Sequence, residues 1–123
     1  MKDKLLFMNT VDSGITVRAG DVTIHKPTPD IKQKDKLVNT VVKDAMQQAK
    51  LSFADITHYE VVVGPGSWTG ARVGVAIIKA YCLAHPKPVH ALHADGTLLM
   101  ITTGAELEPL YDREYVIDIP NKP

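Results

Sequence analysis

Val61-Val62-Val63-Gly64-Pro65-Gly66-Ser67-Trp68-Thr69-Gly70-Ala71-Arg72-Val73-Gly74 is the stretch whose reading decides how this chain folds. The β-branched run, entered through Tyr59-Glu60, predicts a buried strand. Gly64-Pro65-Gly66 stops it: glycine supplies unusual dihedrals, and proline fixes φ and removes a donor. Ser67 or Thr69 can then cap a helix that begins at Ser67 or Trp68 and runs to Ala84, where His85-Pro86 ends it. Gly70 and Gly74 fall on one face of that helix. Each helix-interior glycine costs about 1 kcal/mol relative to alanine. Their presence predicts close approach of another helix or of sheet backbone. Arg72 points elsewhere and suits a carboxylate or a carbonyl.

Outward from this segment the pattern is that of an α/β domain. Lys4 to Asn9 is a short apolar run suited to a buried strand. Asp12-Ser13-Gly14 and Gly20-Asp21 are turn signals. Between and after them, Ile15 to Ala19 and Val22 to Ile24 alternate, which predicts a three-strand antiparallel meander. Lys26-Pro27-Thr28-Pro29 breaks the chain. Asp30 as N-cap with Gln33 three residues later forms a capping-box pattern for a helix to about Lys50. Leu37, Val38, Val41, Val42, Ala45, Met46 and Ala49 make its apolar stripe; Lys36, Asn39, Lys43, Asp44, Gln47 and Lys50 make its polar face. Pro88 to Leu92 reads as a strand, Gly96 to Thr103 as helix or strand, and Tyr115 to Ile119 as a last strand. A meander followed by crossovers gives a mixed sheet with helices packed on it.

The chain has 123 residues, enough for one hydrophobic core. Lys plus Arg and Asp plus Glu are 14 each. That balance argues against a domain that grips nucleic acid by itself, which needs clustered cations. Cys82 is the single cysteine, so no internal disulfide forms; in its apolar context it reads as a small core residue. The apolar run near the N-terminus is too short for a signal peptide, and no stretch reaches the length of a membrane span. The expectation is a cytoplasmic protein.

Chemistry-bearing motifs fit poorly. A glycine-rich turn before a helix can cradle phosphate, which makes Gly64, Gly66, Ser67 and Thr69 a candidate phosphate turn. Yet a P-loop ends in Gly-Lys-Ser/Thr, whereas Gly70 precedes Ala71-Arg72; the dinucleotide fingerprint has its third glycine one position earlier; and the nucleophile elbow is absent. His90 and His93 would face opposite sides of a strand, a poor spacing for a metal.

The segment from Val61 to Gly74 resembles the signature of the TsaB/YeaZ family, Gly-Pro-Gly-Ser-Phe-Thr-Gly followed by apolar, Arg, apolar, Gly. Trp68 stands in place of Phe, and Ala71 in place of a larger apolar residue. Asp55-Ile56 resembles the family's Asp-Ile before the strand, and Phe7-Met8-Asn9-Thr10 sits where the family has Ile-Asp-Thr. Asp112-Arg113-Glu114-Tyr115-Val116 is similar to a shortened opening of the family's second domain. The resemblance implies an actin-like, ribonuclease-H-like fold, with residues 1–110 as a first domain and residues 111–123 as the start of a second.

It also implies a non-catalytic scaffold. Such proteins bind TsaD, the catalytic subunit that transfers threonylcarbamoyl to the tRNA adenosine beside the anticodon, in a system completed by the ATPase TsaE; tRNA is met only indirectly. TsaD resembles TsaB but carries a His-x-x-x-His metal pair on its first long helix. The corresponding helix here, Asp30 to Lys50, has no histidine. Asn9 stands where active members of the wider fold place an aspartate, and an amide lacks the charge to serve a metal-bound phosphate. Catalytic residues, a resident metal and a cofactor are therefore not expected. The partner surface implied for TsaD, or for a second copy, lies on the two helices: Leu37, Val38, Val41, Met46, Trp68, Gly70, Val73, Gly74 and Ile77. The competing class is a nucleotide-binding domain with phosphate at the turn from Gly64 to Gly70.

Overall fold

The computed structural model describes residues 4–12, 14–27, 34–66 and 68–109. Its strands are β1 (Leu6–Asn9), β2 (Gly14–Ala19), β3 (Val22–Pro27), β4 (Tyr59–Gly64), β5 (Val89–His93) and β6 (Leu98–Thr102). Two helices interrupt them: α1 (Lys34–Ala49) between β3 and β4, and α2 (Trp68–Ala84) between β4 and β5. The strands form one sheet in the order β3-β2-β1-β4-β5-β6.

The first three strands are the expected antiparallel meander. Alternation sets their faces: Ile15, Val17 and Ala19 are fully buried, while Arg18 between them is exposed. β4 lies parallel to β1 and β5 parallel to β4, each reached through a helix. β6 returns antiparallel to β5 and resolves the ambiguous stretch at Gly96 to Thr103 as a strand. The proposed cap at Asp30 and Gln33, the strand at Tyr115 to Ile119 and the second-domain residues 111–123 lie outside the described residues.

Both helices pack on one face of the sheet. Val38, Val41, Val42, Ala45 and Met46 of α1 join Leu6, Met8, Ile15, Val17, Val61 and Ile78 in one core. Burial of a large aliphatic side chain stabilises by about 1.5–3 kcal/mol, so this stripe holds the helix down. α1 ends in a tight left-handed turn at Lys50, φ 59°. There the Leu51 N–H donates to the Met46 carbonyl and the Lys50 N–H to Gln47, which satisfies carbonyls the helix would leave open. The Tyr81 hydroxyl of α2 donates to Asn39 Oδ1 of α1 at 2.8 Å and ties the helices together. Among the described residues no helix is long and apolar enough to cross a membrane.

Candidate functional site: the glycine corner and the helical face

The corner after β4 is built as its residues demand. Gly64 and Gly66 both have positive φ, 126° and 156°, and the Gly64–Pro65 peptide is cis. A Cβ on Gly66 would lie 3.1 Å from both Cβ and the carbonyl oxygen of Val11, so the corner is pressed against the loop between β1 and β2. That loop is internally bonded. The Val11 N–H donates to Asn9 Oδ1 at 3.0 Å, and the Gly14 N–H to Asp12 Oδ1 at 3.0 Å. Lys34, the first described residue of α1, is buried beneath it; its ammonium donates to the carbonyls of Thr10 and Asp12 at 2.8 and 2.9 Å. Burial pushes the Lys34 pKa below its ordinary value, partly opposed by the Asp12 carboxylate.

The bare helical face has an occupant within the chain. The Thr10 hydroxyl, fully buried at the end of β1, donates to the Gly70 carbonyl. A Cβ on Gly74 would lie 2.6 Å from Thr10 Oγ1 and 3.5 Å from a methyl of Val61. The close approach read from the glycines is thus with β1 and β4 of the same domain. This corrects the expectation that Gly74 faces a partner; Gly70, buried beside it, has its carbonyl taken by Thr10. The same holds for Val38, Val41 and Met46, which lie in the core because they are the stripe that anchors α1 to the sheet.

Of the expected helical surface, Leu37, Val73 and Ile77 remain half-buried at the margin of that core. Val73 and Ile77 line a groove of about 640 Å³ between α1 and α2, walled by Asp35, Asn39, Thr69 and Arg72. Trp68 opens α2. Ser67 lies outside the described residues, and Thr69 is exposed. Of the candidate phosphate-turn residues, Gly64 is buried, while Gly66 and Thr69 are exposed.

Three features were not read from the sequence. The first is the Lys34 and Thr10 anchorage, for which an aliphatic-face count on α1 gives no signal. The second is an apolar hollow of about 1060 Å³ between the C-terminal half of α2 and the segment from Ile101 to Glu106. On that side Cys82 packs against Gly104, and burial raises its thiol pKa, as suits a packing residue. The third is the true neighbourhood of His90. It pairs across the sheet with Glu60, and its ring stacks on His58 at 4.2 Å.

Residues 24–111 match the family model described as TsaD, tRNA N6-adenosine threonylcarbamoyltransferase. Among curated relatives, the enzyme of that name from Shouchella clausii is 28% identical over 93 residues, covering 68% of this chain and 28% of the relative. The one from Geotalea uraniireducens is 29% identical over 108 residues, covering 85% and 31%. This chain thus spans about a third of the length of those relatives. Among solved structures, YeaZ from Pseudomonas aeruginosa superposes with a TM-score of 0.69 at 19% identity, covering 74% of this chain and 44% of that one. The fold is therefore the mixed-sheet, actin-like and ribonuclease-H-like domain seen in YeaZ. Sequence relatives carry the name TsaD and structural neighbours the name YeaZ. The match over residues 24–111 decides the identification: this chain belongs to the TsaD family of tRNA threonylcarbamoyltransferase domains.

Proposed function

We propose that this chain is a TsaB-like, non-catalytic subunit that supports a TsaD-like catalytic subunit in forming threonylcarbamoyladenosine in tRNA next to the anticodon. One observation carries the reading: α1 carries no histidine or cysteine where the catalytic relatives are expected to carry a histidine pair, and its two carboxylates, Asp35 and Asp44, lie off its inward face. Its inward face is Val38, Val41, Val42, Ala45 and Met46, all buried in hydrocarbon contact. Transition-metal sites need imidazole, thiolate or carboxylate donors. Asn9 supports the same reading, because its amide oxygen is engaged by the Val11 N–H.

The docking surface under this reading is the outer margin of the two helices, with Leu37, Val73 and Ile77 as apolar contacts and Thr69 and Arg72 around them. A TsaD-like subunit, or a second copy, would lay its own helices there. A TsaE-like ATPase would complete the assembly in the cytoplasm, and tRNA would touch the catalytic subunit. The test is binding of a purified TsaD-like subunit by calorimetry, with Ile77→Asp and Val73→Glu as variants. Expected is a tenfold or greater loss of affinity in variants that remain folded, with a Tm lowered by the charge at the core margin. Equal affinity for the folded variants would reject this surface, and no binding by the wild type would reject the reading.

Nucleotide binding at the corner is the second reading. The exposed Gly66 and Thr69 at the start of the 17-residue α2 favour it, since helix N-termini attract anions. Against it, the nearby amides of Val11 and Gly14 already donate to Asn9 and Asp12, and the Asp12 carboxylate would repel phosphate. A ligand that binds only the native state raises Tm. A rise with ATP or ADP would favour the nucleotide reading, and an unchanged Tm the scaffold.

A further inference from the structure

The sheet face turned away from the helices carries a cluster of donors. Tyr59 and Val61 point into the helix-side core, so Glu60 between them points to the other face, and His58 two residues earlier shares that side. The parallel register of β4 and β5 sets His90 directly beside Glu60. His58 Nε2 lies 3.3 Å and His90 Nδ1 3.9 Å from the same carboxylate oxygen, Glu60 Oε2. All three donor atoms lie within 4.8 Å of one another.

We propose that His58, Glu60 and His90 form a binding site for a transition-metal dication of the Zn²⁺ class. Two imidazoles and a carboxylate are a donor set that Zn²⁺ uses with a fourth position left open, whereas Mg²⁺ and Ca²⁺ favour oxygen donors. Tetrahedral coordination with metal–ligand bonds of about 2.0–2.1 Å puts neighbouring donors about 3.3–3.4 Å apart. One spacing already meets this; to share an ion the two imidazoles, which stack at 4.2 Å with their planes 29° apart, would swing out of that stack. Thr57 Oγ1 lies 3.2 Å from His58 Nδ1. With a metal on Nε2, the proton would sit on Nδ1 and Thr57 Oγ1 would accept it, the outer-layer arrangement usual around ligating histidines. Phe7 pairs with Glu60 on one side and Ile101 with His90 on the other, so apolar residues flank the donors.

The site is separate from the glycine corner. Glu60 lies near the start of β4 and Gly64 at its end, roughly 13 Å away at about 3.3 Å per residue. A bound metal would staple β4 to β5.

The test is calorimetric titration of the full chain with Zn²⁺, and with Co²⁺ as a spectroscopic substitute. Expected are one equivalent per chain, loss of affinity of tenfold or more in His90→Ala and in Glu60→Gln, and a weaker loss in Thr57→Val. His85→Ala and His93→Ala should bind as the wild type does. Imidazole proton shifts on adding Zn²⁺ to the wild type, confined to His58 and His90, would give support without any substitution. No binding by the wild type, unchanged binding in folded His90→Ala, or shifts centred on other histidines would overturn the proposal.

Discussion

A Cβ on Gly74 would stand 2.6 Å from Oγ1 of Thr10, closer than any real contact of that kind. Thr10 has no easy retreat, because its hydroxyl is bonded to the Gly70 carbonyl one helical turn away. The strand end and the helix face are thus fitted by the absence of one methyl group. Gly74→Ala should destabilise by about 1–3 kcal/mol through overpacking, despite a helix-propensity gain of about 1 kcal/mol. Urea denaturation measures it. In a cycle with Thr10→Ala, a coupling energy of about 0.5–3 kcal/mol is expected; additive effects would mean the two sites do not touch.

Lys34 makes a different kind of anchor. Its buried ammonium serves two loop carbonyls, and Lys34→Met leaves them without that donor, at a cost of about 1–3 kcal/mol. The pH dependence has a definite sign. Because burial lowers the folded pKa below 10.5, the unfolded chain holds this proton more tightly. Lys34 therefore contributes stability that rises with pH between its lowered folded value and 10.5. Chemical denaturation across the alkaline range should show that contribution in the wild type and its absence in Lys34→Met.

Tyr59 and Tyr81 should resist ionisation. Burial raises both to about 12; the Cys82 and Tyr81 groups add to the effect at Tyr59. Tyr59 also donates to the His85 carbonyl at 2.8 Å. Unfolded tyrosines ionise near 10, so these two contribute stability present below that pH and lost as pH rises from 10 towards 12. An ultraviolet phenolate titration should show at least two of the four tyrosines titrating late. Early titration of all four would contradict the burial.

Lys50 holds the left-handed position that ends α1, which glycine occupies without a Cβ clash. Lys50→Gly should raise stability by up to about 1 kcal/mol, read as a higher midpoint in urea with unchanged slope. A loss of stability would mean that the Lys50 side chain contributes more than its strained backbone costs.

The legible parts of this fold are those set by local period. Alternation at Ile15, Val17 and Ala19 gave the buried face of β2, and the stripe on α1 gave its core side. Gly70 and Gly74 were legible as a close approach, but a chain's own strand and a neighbouring helix demand the same missing side chains. Only the position of Thr10, sixty residues from Gly70, separates them. His58, Glu60 and His90 escaped because a non-local strand register brings them together, whereas the near-sequence pair His90 and His93 looked more suggestive. β6 stayed open between helix and strand because Leu98, Leu99, Met100 and Ile101 are all apolar and all exposed, so no alternation separates the two.

The two margins of the sheet are unlike. β3 ends in exposed His25, Lys26 and Pro27, and charge and proline discourage further pairing. Among the described residues β6 forms the opposite margin, with four exposed aliphatic side chains and no charge between Leu98 and Thr102. Such a rim templates any strand that meets it. Self-association of the chain at high concentration is therefore expected to run through Leu98 to Thr102 and to fall in Ile101→Lys.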